Sequence, residues 1–284
     1  MNRLLVVFHL YFPAQLEYFI SKLSNINSVE WDLLVTGSAL GSDVRRRLEQ
    51  FKPGCRFLEV DNVGYDVWPF IKAVKSTPDF SSYDYVLKLH TKNANLKPVP
   101  INGLRLSKYQ WRSLLVNAIL KSPEQFRKCL RHLECPKVGM VCSRELLKRT
   151  SCGLAEDLTM LNEELARLGL KSERKAFCAG TMFISRTEPF LFLQEADISS
   201  EMFKGVAVSH SIGTMAHAYE RIFGIAVPAS GYSIKGVFSN LPVCAMAVSS
   251  KCITPLLEWV FAIKRFGADR RKKMVIFGIK IPLE

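Results

Sequence analysis

Tyr83-Asp84-Tyr85-Val86-Leu87-Lys88-Leu89-His90-Thr91-Lys92 is the stretch on which the fold turns. Val86, Leu87 and Leu89 make a short apolar, β-prone run, the composition of a strand buried in a sheet. The run ends in His90, Thr91 and Lys92, three donors suited to an anion such as a phosphate. A buried strand that opens on a polar, partly cationic mouth is where an active site begins in an α/β sheet.

The segments before it alternate strand and helix. Leu4 to Phe8 is apolar and β-prone, and Pro13 stands close to a helical pattern in which Leu16, Phe19, Ile20 and Leu23 share one face. Trp31 to Val35 predicts a second strand, Ser42 caps a helix through Phe51, and Arg56 to Val60 predicts a third strand ending in Asp61-Asn62. Asp66 to Lys75 opens a helix with Pro69 in its first turn, and Pro78 ends it. This β-α-β-α-β order makes the fold α/β with a mostly parallel sheet.

Beyond the mouth, the polar loop from Asn93 to Leu106 is a candidate lid, followed by helical spacing over Trp111 to Leu120. Ser122-Pro123-Glu124-Gln125 is a helix start and Val138 to Cys142 a strand. Leu158, Leu161, Leu165 and Leu168 predict an amphipathic helix over Glu156 to Leu168, stopped by Gly169. Phe177 to Ser185 reads as one glycine-broken strand, Thr214 to Phe223 as a helix stopped by Gly224, and Ala226 to Tyr232 as a last strand or turn.

With 284 residues, 48% of them hydrophobic, the chain can bury a sizeable core. We expect one large domain over residues 1–240 and an appendage over 241–284. A net charge of +13 points to an anionic partner. Nucleic acid is not favoured, because no helix-turn-helix, RNA-recognition or zinc-finger signature accompanies the charge. The eight cysteines are scattered without a Cys-x-x-Cys pair, so reduced thiols in a cytosolic protein are expected. Met1 to Phe12 reads as the first strand, since His9 interrupts it and no small-residue cleavage site follows. No apolar run approaches the roughly 20 residues of a spanning helix.

From Lys251 onward eight Lys or Arg face three acids, interleaved with Leu256, Leu257, Trp259, Val260, Phe261, Ile263 and Phe266. This basic, amphipathic tail is expected as a membrane-surface helix or as a terminal helix packed on the domain with a solvated basic face.

Three further places carry candidate chemistry. Asn62, Gly64 and Asp66 lie between a strand and the next helix, where ligands bind in open α/β sheets. Gly64 would let backbone approach a ligand, and Asp66 would accept from a hydroxyl or cap the helix. Gly180, inside Ala179-Gly180-Thr181-Met182-Phe183, marks a close approach or sheet packing under a helix. His217 and Glu220 stand three apart on neighbouring helix positions, able to act together or to pair on the surface. No nucleophile elbow, phosphate-cradling loop or dinucleotide fingerprint is present.

In order and content these segments resemble the rhamnan synthesis F family, glycosyltransferase-like proteins of bacterial cell-surface polysaccharide assembly. The likeness runs through Val7 to Phe12, Trp31 to Thr36, Asn62 to Phe70, Tyr83 to Lys92, Trp111-Arg112, Phe177 to Phe183, Gly213 to Gly224 and Gly231-Tyr232, about residues 4 to 235. It implies a GT-A-like, Rossmann-like glycosyltransferase that moves a sugar, such as rhamnose or another deoxyhexose, from a nucleoside diphosphate to a lipid-linked glycan of the lipopolysaccharide or O-antigen kind.

Carried onto this chain, the resemblance makes Asn62, Gly64, Asp66, Lys88, Thr91 and Gly180 donor-binding. Asp66 or Glu220 becomes the base, and His90 and Lys92 stabilise the leaving diphosphate. Lys88 to Lys92 occupy the strand end where many relatives of that fold carry Asp-x-Asp, which leaves a divalent metal open. Ile212 stands where family members commonly carry an acid. The expected partners are a nucleotide sugar, a glycan or lipid-linked acceptor and an anionic membrane surface. The expected location is the cytoplasmic face of the bacterial plasma membrane. The alternative reading is a non-catalytic protein that binds nucleotide sugar or glycan on the same fold.

Overall fold

A computed structural model describes residues 2–93, 99–101, 104–150, 155–173, 176–204, 214–239, 259–266 and 271–282. The first half alternates β1 (Arg3–His9), α1 (Leu16–Leu23), β2 (Glu30–Gly37), α2 (Ser42–Phe51), β3 (Arg56–Glu59), α3 (Val67–Lys75) and β4 (Tyr85–His90). A small hairpin, β5 (Val99–Ile101) and β6 (Leu104–Leu106), leads to α4 (Lys108–Leu120), α5 (Pro123–Glu134) and β7 (Val138–Ser143). Then come β8 (Leu147–Arg149), α6 (Ala155–Arg167), β9 (Ala176–Cys178), β10 (Phe183–Arg186), α7 (Phe192–Glu195), α8 (Met215–Ala229) and β11 (Ser233–Val237).

Seven strands form one sheet in the order β11-β7-β10-β4-β1-β2-β3. The pairs β1/β2, β1/β4, β2/β3 and β7/β11 are parallel, and β10 runs antiparallel to both β4 and β7. The expected mostly parallel, Rossmann-like α/β sheet flanked by helices is therefore what the chain builds. Its 3-2-1-4 half has the order with which doubly wound dinucleotide folds begin. Leu4 to Phe8 of β1 and Tyr85 to His90 of β4 are buried throughout, as central strands of a covered sheet must be.

Phe70 of α3, Phe183 of β10, Phe190 and Phe223 of α8 pack edge-to-face or stacked, with centroids 5.2–6.4 Å apart. This cluster clamps α3 and α8 over β4, so the starts of those helices face the same strand ends.

Three elements differ from the sequence expectation. The segment from Phe177 to Ser185 is two strands, because Gly180 (φ 91°) and Thr181 (φ 47°) both turn into left-handed backbone. α8 does not stop at Gly224 but runs on to Ala229, and the last strand of the sheet starts at Ser233. Gly224 is there for contact: a Cβ on it would lie 2.3 Å from the Ala176 carbonyl oxygen and 2.5 Å from Phe177 Cα, so α8 rests directly on β9.

Beyond Trp259 and Val260, which are helical, the described part of the C-terminal appendage is strand and not the expected helix. β12 (Phe261–Phe266), β13 (Arg271–Ile276) and β14 (Ile279–Pro282) form an antiparallel sheet. Phe277 (φ 45°) and Gly278 (φ 79°) between β13 and β14 make the paired left-handed turn that a tight hairpin needs. Val275 is buried between half-buried Met274 and Ile276 on β13, while β14 is exposed throughout. The boundary at 240/241, the tail over 241–258, Ile212, Gly213, and the lid loop over 94–98 and 102–103 lie outside the described residues.

Candidate functional site

The parallel strands β1 to β4 end on one side of the sheet, and the predicted residues gather there. His9 and His90 are register partners at the ends of β1 and β4, and Thr36 closes β2 beside His9. His9 Nδ1 lies 3.0 Å from the Thr36 hydroxyl, and burial lowers the His9 pKa to about 4. Thr91 next to them is a fastening: its hydroxyl accepts from the backbone N–H groups of Tyr11 and Phe12 at 3.0 and 3.1 Å.

Asp66 stands just before α3 yet makes no side-chain cap on it. Its Oδ2 accepts from the Lys88 ammonium at 2.5 Å and from the Thr181 hydroxyl, and lies 3.3 Å from His90 Nδ1. Lys88 spends its other donors on Thr181, at 3.1 Å to the carbonyl and 2.9 Å to the hydroxyl. It is 1% exposed, between the rings of Phe70 and Phe223. Period-two alternation explains why Lys88 and His90 both reach Asp66 while Leu87 and Leu89 point the other way.

These charges settle each other. Burial acts to raise the Asp66 carboxyl, but His90, Lys88 and Lys92 outweigh it and hold the group well below the usual carboxylate range. Burial lowers Lys88 against the pull of Asp66, and pushes His90 well below the ordinary histidine value, also against Asp66. His90 is therefore neutral at pH 7, and its two ring nitrogens have no well-formed hydrogen bond among the described residues. Oδ1 of Asp66 is the oxygen left to face a ligand, because every described bond goes to Oδ2.

A second carboxylate reaches the same turn from α8. Glu220 Oε1 accepts the Gly180 N–H at 2.6 Å, one residue before the threonine that binds Asp66. Gly180 must be glycine there: its φ is 91°, and a Cβ would come within 2.9 Å of Leu115 Cδ1 and 3.3 Å of the Trp111 ring. Thus Asp66 and Glu220, from helices far apart in sequence, converge on Gly180-Thr181.

Lys92 stands at the outer rim with its ammonium 4.7 Å from the Trp111 ring centre. No ion pair is formed by it among the described residues, in contrast to Lys88. Gln15 holds its backbone, donating to the Lys92 carbonyl at 2.5 Å and accepting the Lys92 N–H at 3.3 Å, while Arg112 donates to Gln15 at 3.0 Å. Asn62 is exposed, 3.5 Å from the Tyr11 hydroxyl.

Tyr65, 59% exposed and left-handed (φ 55°), sets its ring 6.0 Å from His217. His217 Nδ1 lies 2.8 Å from the Thr214 hydroxyl, so its described bond is not to Glu220. Gly64 has a packing reason to be glycine: its Cα faces Phe203 and Trp68, each 2.9 Å from a would-be Cβ, at a φ of 65°.

Of the predicted residues, Asp66, Lys88, His90, Gly180 and Glu220 form one connected cluster. Lys92 stands at its rim, Asn62 is exposed beside Tyr11, Thr91 fastens the Tyr11-Phe12 backbone and Gly64 packs under Phe203 and Trp68. Lys88 has no donor left for a substrate, and His90 lacks the charge expected of it. Thr181, Gln15 and Trp111 were missed as site residues; only the glycine before Thr181 hinted at that turn.

A divalent ion does not fit this strand end, because an ammonium already sits on the carboxylate that would ligate it. No group of three or more His, Cys, Asp or Glu able to hold a metal occurs among the described residues. An open cleft of about 470 Å³, lined by Arg3, Val29, Glu30, Trp31, Asp32 and Lys52, lies at the opposite ends of β1 and β2.

The chain belongs to the rhamnan synthesis protein F family, whose pattern matches residues 1–232. It is 26% identical over 186 residues to the uncharacterized protein WxcX of Xanthomonas campestris pv. campestris, in strain B100 and in a second strain. That match takes in 64% of this chain and 25% of WxcX, so the chain spans about a quarter of the length of the curated relatives it matches. Among solved structures it is similar to a mycobacterial protein at 15% identity and a TM-score of 0.39, covering 99% of this chain and 86% of that one. It is also similar to glucosyl-3-phosphoglycerate synthase from Mycobacterium tuberculosis, solved with Mn2+, UDP-glucose and phosphoglyceric acid. There the identity is 14% and the TM-score 0.34, covering 99% and 89% of the two chains.

Proposed function

We propose that this chain is a GT-A-like hexosyltransferase that moves rhamnose or another deoxyhexose from a nucleoside diphosphate to a lipid-linked cell-surface glycan. The observation that carries the reading is the convergence of Asp66 and Glu220 on the Gly180-Thr181 turn, beside a cationic rim, in a member of the rhamnan synthesis F family. Transfer breaks the bond between the sugar's anomeric carbon and the diphosphate oxygen and makes one to an acceptor oxygen, whose proton needs a base. Asp66, held ionised by Lys88, is a weak base and suits accepting at Oδ1 a hydrogen bond from a hydroxyl of the sugar donor. Glu220 is then the base. Lys92, at the rim beside Trp111, meets the diphosphate and stabilises the charge that develops on it. An acceptor of this kind is held in a membrane, which places the enzyme peripherally on the inner face of the bacterial plasma membrane.

Purified protein incubated with a panel of nucleoside diphosphate sugars, with manganese or with a chelator, tests this. One donor should raise the melting temperature and release nucleoside diphosphate when a lipid-linked acceptor is added, and Lys92→Ala should slow that release about a hundredfold. Turnover by Lys92→Ala at the parent rate would remove the residue from its role. The engagement of Asp66 by an ammonium favours a second reading, a binding protein without turnover. Donor-dependent stabilisation with no diphosphate release from any acceptor would decide for it.

A further inference from the structure

The register of the small C-terminal sheet sorts its residues onto two faces. Directly opposed residues share a face. Phe261, Ile276 and Ile279 form one cross-strand row, and Ile263, Met274 and Ile281 stand in the next row of the same face. The row after that places Arg265 opposite Lys272. The other face carries Val275, which is buried.

The first face is open. Phe261, Ile279 and Ile281 are exposed on it, and Phe277 at the hairpin turn is 60% exposed with Trp259 against it at 5.7 Å. Of the ten exposed large hydrophobic residues of the described chain, six lie between Trp259 and Ile281. A patch of that density, in a segment rich in Lys and Arg, marks an interaction surface.

We infer that this face docks on an anionic lipid surface, with Phe277, Ile279 and Trp259 entering the interfacial region and the excess basic charge of the appendage drawing it to the head groups. The composition selects this occupant: exposed apolar and aromatic side chains gathered at the turn end, in a segment with a large excess of cations, are what an anionic lipid–water boundary takes up. The appendage also carries five positive charges in excess from Lys251 onward, which an anionic bilayer attracts. This deepens the reading of a membrane-held acceptor by naming the element that touches the membrane, and it needs no sugar nucleotide to be tested.

The full chain is sedimented with phosphatidylcholine vesicles with and without phosphatidylglycerol, beside the double variant Phe277→Glu/Ile279→Glu. Both positions are exposed, so the variant should keep the parent's far-UV spectrum and melting temperature. Expected is co-sedimentation of the parent with the anionic vesicles and a loss of about tenfold or more in the variant. A Trp259→Phe control should remove most of a blue shift in fluorescence on vesicle addition. Equal sedimentation of parent and double variant overturns the inference. So does a parent that ignores vesicles and forms a dimer which the double variant breaks, since the face would then belong to a second copy.

Discussion

Lys88 and Asp66 place two opposite charges beneath the mouth where water scarcely reaches, and each depends on the other. Asp66→Asn leaves a buried ammonium without its counter-charge, a change that costs about 3–5 kcal/mol in comparable sites. Joining it to Lys88→Met should restore much of that loss, because an apolar pair of similar volume avoids the desolvation of both charges. Urea midpoints for the two singles and the double give the coupling, and additive losses would show that the pair does not hold the site together. Only half of this was legible beforehand. A lysine inside an apolar run announces a buried charge, but whether Asp66 caps its own helix or reaches across to a strand depends on where α3 comes to rest, which no local spacing encodes.

At the level of elements, Gly224 separates two kinds of information. Sequence rules read a glycine late in a helix as a stop, and they found the stop at Gly169 correctly, where φ is 66°. In α8 the glycine is instead a contact point with β9, a fact about a neighbour distant in sequence. Gly224→Ala should therefore lower stability by about 3 kcal/mol by overpacking, although alanine is the better helix former by about 1 kcal/mol. A calorimetric melting temperature equal to the parent's would mean that α8 can lift from the sheet. Strands and helices of the first half were readable because each carries its own period. The small sheet at the C-terminus was not, because mixed basic and aromatic residues fit a helix face and a strand face alike until the Phe277-Gly278 turn is seen.

Across the whole molecule, acid should act through histidines earlier than through Asp66. His9 is lowered from 6.5 to about 4 in the folded chain, so between those values the unfolded chain binds more protons and stability falls as pH falls. Two and a half units correspond to about 3 kcal/mol lost by pH 4. His90 shifts in the same direction and adds to it. Asp66, depressed below its unfolded value, keeps its contribution through that window and loses it only at stronger acid. Melting temperatures measured from pH 7 to pH 4 should decline, and His9→Gln should flatten the profile. An unchanged profile in that variant would place the acid sensitivity elsewhere.

β10 is the strand that enters against the direction of its neighbours, and it arrives late. Until Phe183 to Arg186 leave the ribosome, β4 has β1 on one side and an open edge on the other. Thr181 is then also missing, so Lys88 has only Asp66 to hold. The strand at the centre of the finished sheet is thus an edge strand of the nascent one, and its open side offers a chaperone or a misplaced neighbour the site-bearing strand.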